Sequence, residues 1–145
     1  MSTIHTSPFR LEQFIVKDFN FTREPGETGI TDIQISPSGI LNNSDKTFIL
    51  SLEISLKDDK ETYSIDMTGY GYFEFKNMES TDSLSDYFCI NAPAIIFPYI
   101  RAYISAVSAL SGLKVITIPT MNLSSLQEDL RKNIFSSDED GAKIN

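Results

Sequence analysis

Apolar and polar positions alternate through much of the first half of the chain, and the period changes towards helical spacing in the last third. The cleanest alternation is Phe48, Leu50, Leu52, Ile54 and Leu56 against Ser51, Glu53 and Ser55, which predicts a strand over Thr47–Leu56. Lys57-Asp58-Asp59-Lys60-Glu61 is a polar turn. The next strand, Thr62–Phe75, carries Tyr63, Ile65, Met67, Phe73 and Phe75 at one parity, so the two form an antiparallel hairpin. Gly69 and Gly71, set among Tyr70 and Tyr72, mark a bulge or a close backbone approach. Upstream, Phe9, Leu11, Ile15, Phe19 and Phe21 share a parity that Phe14 and Val16 break, so the strand Phe9–Phe21 is covered on both faces or bulged. From Arg23 to Lys46 the pattern weakens. Pro25, Gly26 and Gly29 make a loop and Ile30–Ile35 a short strand, after which Pro37-Ser38-Gly39 and Asn42-Asn43-Ser44-Asp45 punctuate the chain. This segment is predicted to be a long, partly irregular crossover.

Met78–Asp86 is polar apart from Leu84. A helix is predicted from Phe97 to Ser111, with Pro98 in its first turn and Gly112 at its end. Ile100, Tyr103, Ile104, Val107 and Leu110 fall on one stripe, with Ala102, Ser105, Ala106 and Ala109 beside it. Arg101 is its one charge. A helix so poorly dressed for water must be covered, and in a chain of 145 residues a second subunit is the natural cover, placing Tyr99 and this stripe at an oligomer interface. Leu113–Ile118 is extended up to Pro119. Ser125-Leu126-Gln127-Glu128 has the capping-box spacing and opens a second helix carrying Leu123, Leu126, Leu130 and Ile134 on one side. Residues 1–134 then form one domain, and 135–145 an acidic, turn-rich tail predicted to be disordered.

Composition narrows the chemistry. With 12 Lys and Arg against 20 Asp and Glu, the net charge of −8 opposes binding to nucleic acid and favours a basic protein partner. Cys89 is the lone cysteine and His5 the lone histidine, so no zinc set can be assembled and no metal or cofactor is expected. Ser111-Gly112-Leu113-Lys114 matches a Ser-x-x-Lys spacing without its companion motifs, and Asp58-Asp59 lacks the ligand spacing of a calcium loop. No nucleophile–base pattern accompanies any of them, so an enzyme is not expected. The amino terminus lacks the basic start and apolar run of a signal peptide, and Ala92–Leu110 is broken by Arg101, Ser105 and Ser108. A cytoplasmic protein without membrane insertion is the expectation.

Pro93-Ala94-Ile95-Ile96-Phe97-Pro98-Tyr99-Ile100-Arg101 resembles the Pro-x-x-apolar-Phe-Pro-Tyr-x-Arg pattern that opens the long helix of the SecB export chaperones. Pro119-Thr120-Met121-Asn122-Leu123 is similar to that family's lead into its second helix. Lys17-Asp18-Phe19-Asn20-Phe21 is similar to the end of its first strand, so the likeness spans roughly Phe9–Leu130. The resemblance implies an α+β fold, a four-stranded antiparallel sheet with two helices packed on one face. It also implies a homotetramer built as a dimer of dimers around the long helices. Asp18 and Asp66 match the acidic surface that meets the SecA motor, whereas Thr22 and Ser64 stand where that surface has charged or large apolar groups, and Leu113-Lys114-Val115 departs from the Gly-x-Phe-Pro that comes after the family's long helix.

The resemblance implies an ATP-independent holdase. Its clients are unfolded polypeptides, either preproteins on their way to export or the antitoxin of a toxin–antitoxin–chaperone system. The residues expected to line its grooves are Ile33, Ile35, Ile40 and Leu41 of the crossover, Tyr70 and Tyr72, and Leu123, Leu126 and Leu130 of the second helix. The alternative reading is an adaptor that binds one folded partner on the same scaffold.

Overall fold

Four long strands occupy the first half of the chain, β1 (Phe9–Arg23), β2 (Ile30–Asn42), β3 (Thr47–Asp58) and β4 (Tyr63–Phe75). They lie in the order β1-β4-β3-β2, and every neighbouring pair is antiparallel. Two helices, α1 (Thr81–Ala109) and α2 (Ser124–Arg131), cover one face, as the resemblance implies. Two short strands extend the sheet beyond β2. β5 (Ile134–Ser137) runs parallel to Gly39–Asn42, and β6 (Lys143–Ile144) pairs with β5. This computed structural model describes all residues except 4–7, 27–28, 77–80, 138–142 and 145, and among the rest the side chains of 31, 81–85, 143 and 144 are not described. His5 and the acidic run Asp138-Glu139-Asp140 lie outside the described residues.

The covered face of the sheet is built from one parity of each strand. Phe48, Leu50, Leu52, Ile54 and Leu56 of β3 are buried with Tyr63, Ile65, Met67, Phe73 and Phe75 of β4. β1 joins them by two register shifts, one between Leu11 and Gln13 and one between Val16 and Asp18. Each leaves one unpaired residue, Glu12 and then Lys17, and each resets the parity. Phe9 and Leu11, Phe14 and Val16, then Phe19 and Phe21 are therefore all drawn towards the core, which resolves the broken pattern of this strand in favour of bulges.

Gly69 and Gly71 sit opposite the stretch between the bulges, paired with Val16 and Phe14. A Cβ on Gly71 would lie 2.7 Å from Ile96 Cγ2, and one on Gly69 would lie 3.2 Å from Phe14 Cε1 and 3.8 Å from Ile100 Cδ1. Their missing side chains let α1 settle onto the sheet, so of bulge and close approach these glycines serve the second.

Three expectations are corrected. The segment Arg23–Lys46 is not an irregular crossover, because thirteen of its residues form β2 and pair with β3 along their length. Pro37 is tolerated there because the β5 pairing begins only at Gly39, so at Pro37 the strand has β3 alone as neighbour. The long helix does not begin at Phe97. It spans 29 residues and carries both Pro93 and Pro98 inside it. Each proline removes one helical hydrogen bond, a cost outweighed by burial of Phe88, Cys89, Ala92, Ile96, Phe97, Ile100 and Ile104. Phe88 alone stacks on Phe48 at 4.5 Å and meets Phe9 at 4.8 Å. Finally, α2 is not opened by a capping box. Asn122 Oδ1 accepts from Ser124 N at 3.0 Å and Glu128 turns instead to Arg131, while Ile134 leaves the helix to enter β5.

The serines that interrupt α1 have a structural task. Buried Ser108 accepts from Ile116 N through its Oγ at 2.8 Å, and Ser105 Oγ donates to Ile116 O at 3.3 Å. They pin the extended segment after α1, so that Ile116 and Ile118 enter the core. Asp86 of α1 and Arg131 of α2 then join the helices through an exposed ion pair at 3.1 Å.

Candidate functional site

The covered face of β2 presents Ile33 and Ile35, paired across the ladder with Leu56 and Ile54. α2 and its leading segment stand over them, because Leu126 and Leu130 anchor the helix in the core. Between the two is a groove of about 280 Å³, lined by Ile33, Ile35, Met121, Leu123 and Leu126, with Asn122, Ser125 and Asp129 among its polar lining. Ile33, Ile35, Met121 and Leu123 are only partly buried, so the groove presents an apolar wall to whatever enters it. Asp129 is the one charged residue in that lining.

Of the residues named from sequence, the structure thus brings together Ile33, Ile35, Leu123 and Leu126. Leu41 and Leu130 are fully buried and belong to the core, where no incoming chain reaches them. Ile40, Tyr70 and Tyr72 lie on the opposite face of the sheet. There Ile40 pairs with Ile49, Ile49 with Tyr72, and Phe135 of β5 with Ile40, forming an apolar row across four strands. Met121 escaped the sequence reading because no periodic pattern runs through Pro119–Leu123. Phe135 escaped because four residues carry too little pattern to announce a parallel strand.

Asp18 and Asp66 are exposed on that same outer face and help line a depression of about 220 Å³ with Glu53, Gln34, Ser36 and Thr68. Thr68 pairs with both Asp18 and Glu53, which explains why three strands deliver carboxylates to one place. Glu53 was legible only as an outward position of β3; its company depends on the register. Thr22 and Ser64 are cross-strand partners nearby.

The predicted oligomer stripe divides. Ile100 and Ile104 are buried against the protein's own sheet, so they do not face a partner. Tyr103 is half-buried with its edge on Phe19 at 5.1 Å, and Val107 is half-buried too. Tyr99 and Leu110 remain 51% and 86% exposed, and Ile90, Ala94, Ala102 and Ala106 share their exposure. The early proline is the feature that misled: with the helix started at Phe97, the stripe that meets the sheet passes for the one that meets a neighbour. In the shared motif, Phe97 is buried and the Arg101 guanidinium lies 5.4 Å from the centre of its ring.

Other chemistry is quiet. Burial pushes the Cys89 thiol up from its ordinary value, which keeps it protonated and unreactive. Ser111 Oγ donates to Ser108 O at 2.6 Å and accepts from Arg23 at 3.1 Å. Among the described residues no group of His, Cys, Asp and Glu is arranged to hold a metal. Asp86–Ala109 is long and apolar enough, by length and composition, to cross a bilayer. It includes the residues of α1 that pack on the sheet.

Comparison with known proteins places this geometry. The family model described as preprotein translocase subunit SecB matches residues 5–133. An uncharacterised protein of Methanocaldococcus jannaschii, MJ0357, is 26% identical over 94 residues, 62% of this chain and 60% of that protein. The protein-export protein SecB of Azoarcus sp. strain BH72 is 24% identical over 82 residues, 57% of this chain and 54% of its own length. The matches thus span little more than half the length of these curated relatives. Among solved structures, the Mycobacterium tuberculosis Rv1957 SecB-like chaperone, in complex with a ChAD peptide from the Rv1956 HigA1 antitoxin, superposes with a TM-score of 0.66 at 13% identity. That match covers 79% of this chain and 88% of the other. A Streptococcus agalactiae protein of unknown function gives 0.50 at 9% identity, over 80% of this chain and all of the other.

Proposed function

Because the chain belongs to the SecB family, with its family match running through residues 5–133, we propose that it is a cytoplasmic holdase, keeping unfolded or aggregation-prone polypeptide apart without ATP. The observation that carries this reading is the groove between β2 and α2, whose wall of Ile33, Ile35, Met121, Leu123 and Leu126 offers apolar contact with little polar pattern to select a sequence. Burying one client Leu or Phe side chain there contributes about 1.5–3 kcal/mol. Ordering the client opposes this, so one groove binds weakly and several grooves along one chain bind well. Assembly into a tetramer around the exposed side of α1 supplies those several grooves. The apolar row Ile40–Ile49–Tyr72 on the outer face is a second track of the same character.

The purified protein should suppress light scattering from several unrelated, chemically unfolded proteins in the absence of ATP. Ile35→Asp with Leu123→Asp should weaken that suppression about tenfold, a loss of roughly 1.4 kcal/mol of binding. If the wild type protects none of them, the general holdase reading is wrong. Protection of a single antitoxin alone would make it a dedicated toxin–antitoxin chaperone. Binding of one folded partner alone would favour an adaptor.

Delivery to SecA is a separate matter, supported by the carboxylates of Asp18, Glu53 and Asp66 on one face. Micromolar binding to SecA that is lost in Asp18→Lys with Asp66→Lys is expected for an export chaperone; no measurable wild-type binding would leave the antitoxin role.

A further inference from the structure

Where β1 ends and β2 and β4 begin, a second hollow of about 400 Å³ is lined by Arg23, Ile30, Tyr63, Lys114, Val115 and Thr117, together with Gly26, Gly29 and Ile116. Its charge is opposite to that of the molecule. Both ionised side chains in the lining are cationic, in a chain of net charge −8, and no carboxylate is among the described lining residues. Arg23 forms no ion pair among the described residues. Its Nη1 donates to Ser111 Oγ at 3.1 Å, and its buried Nε has no acceptor there. A guanidinium with an unmatched donor, sharing a hollow with an exposed ammonium, suits an oxyanion.

The walls narrow the choice. Ile30, Val115 and Ile116 give the hollow apolar flanks, which suit a charge carried on an apolar body. The field of an acidic protein opposes a doubly charged phosphate more than a singly charged carboxylate. We propose that the hollow between Arg23, Tyr63 and Lys114 is a receptor for a carboxylate borne on an apolar segment. The carboxylate is argued from the pocket alone. That a polypeptide carries it rests on the holding function above, and its source is then either a free chain terminus or an acidic side chain.

Isotope-labelled full-length protein is titrated with three short apolar peptides: one with a free terminal carboxylate, its amide, and an amide containing one internal Glu. Binding is read from the backbone amides of Lys114–Thr117 and from the Arg23 Nε–H. At least one carboxylate-bearing peptide should bind about tenfold more tightly than the plain amide, and Arg23→Gln should remove that difference. The free acid binding best identifies a chain terminus, and the internal Glu binding best identifies a side chain. Equal binding of all three peptides, or tighter binding of inorganic phosphate, overturns the proposal. So does a tenfold gain in Glu27→Gln, since that assigns the pocket to the chain's own carboxylate. The groove variants Ile35→Asp and Leu123→Asp should leave this titration unchanged, so the pocket and the holding function fail independently.

Discussion

At Gly71 the sheet has no room for even one carbon more. An added Cβ would stand 2.7 Å from Ile96 Cγ2 and 3.0 Å from Phe73 Cε1, both in the packed interior. Gly71→Ala should therefore force α1 away from β4 and cost about 1–3 kcal/mol, as overpacking does. Gly69→Ala, whose Cβ would meet Phe14 at 3.2 Å, should cost less because a partly buried ring can give way. Urea unfolding midpoints would rank the two, and an unchanged midpoint for Gly71→Ala would mean that α1 is not seated against this glycine. The glycines themselves were visible from sequence as a place of bulge or approach. Which of the two applied depended on Ile96, far along the chain and hidden in a helix that sequence started too late.

At the level of elements, β1 shows how a strand keeps one face apolar when its sequence will not alternate. Glu12 and Lys17 are the unpaired residues of its two bulges. Removing Glu12 erases the first bulge yet leaves Phe14 and Val16 facing inward, so that deletion should cost no more than about 1 kcal/mol. Deleting Asn20, which sits in the regular ladder opposite Asp66, turns Phe21 to the outer face and should cost roughly 2 kcal/mol more. Thermal melts of the two deletions test this directly; equal damage from both would show that the bulge does more than set parity. The strands β3 and β4 were legible in nearly full outline because each has one wet and one dry face. β2 was not, since Pro37 and Gly39 look like turn residues until β3 is laid beside them. The start of α1 was lost because a proline early in a helix and a proline within one have the same signature in sequence.

For the whole molecule, the unanswered surface is the outer side of α1. Only a third of its most apolar window is buried within one chain, and Leu110 is 86% exposed. Exposed apolar area of that kind is covered by another subunit in the proposed assembly. The wild type should sediment at about four times its 16.3 kDa, and Ala106→Glu with Leu110→Glu should reduce it to smaller species by placing charge at the contact. A wild type that sediments as a single chain at all concentrations would remove this assembly and with it the multiplication of grooves.

Sequence alone determined the β3–β4 hairpin, the inward residues of those two strands and, through the Phe97-Pro98-Tyr99-x-Arg101 resemblance, the family and with it the fold class. These depend on local period and on a compact motif, which are properties of neighbouring residues. Tertiary structure alone decided which apolar residues were free to do anything. Leu41 and Leu130 went to the core, Ile33, Ile35, Leu123 and Leu126 to one groove, and Ile40, Tyr70 and Tyr72 to the other face. Burial depends on which strand lies beside which and in what register, and residues far apart in the chain settle both.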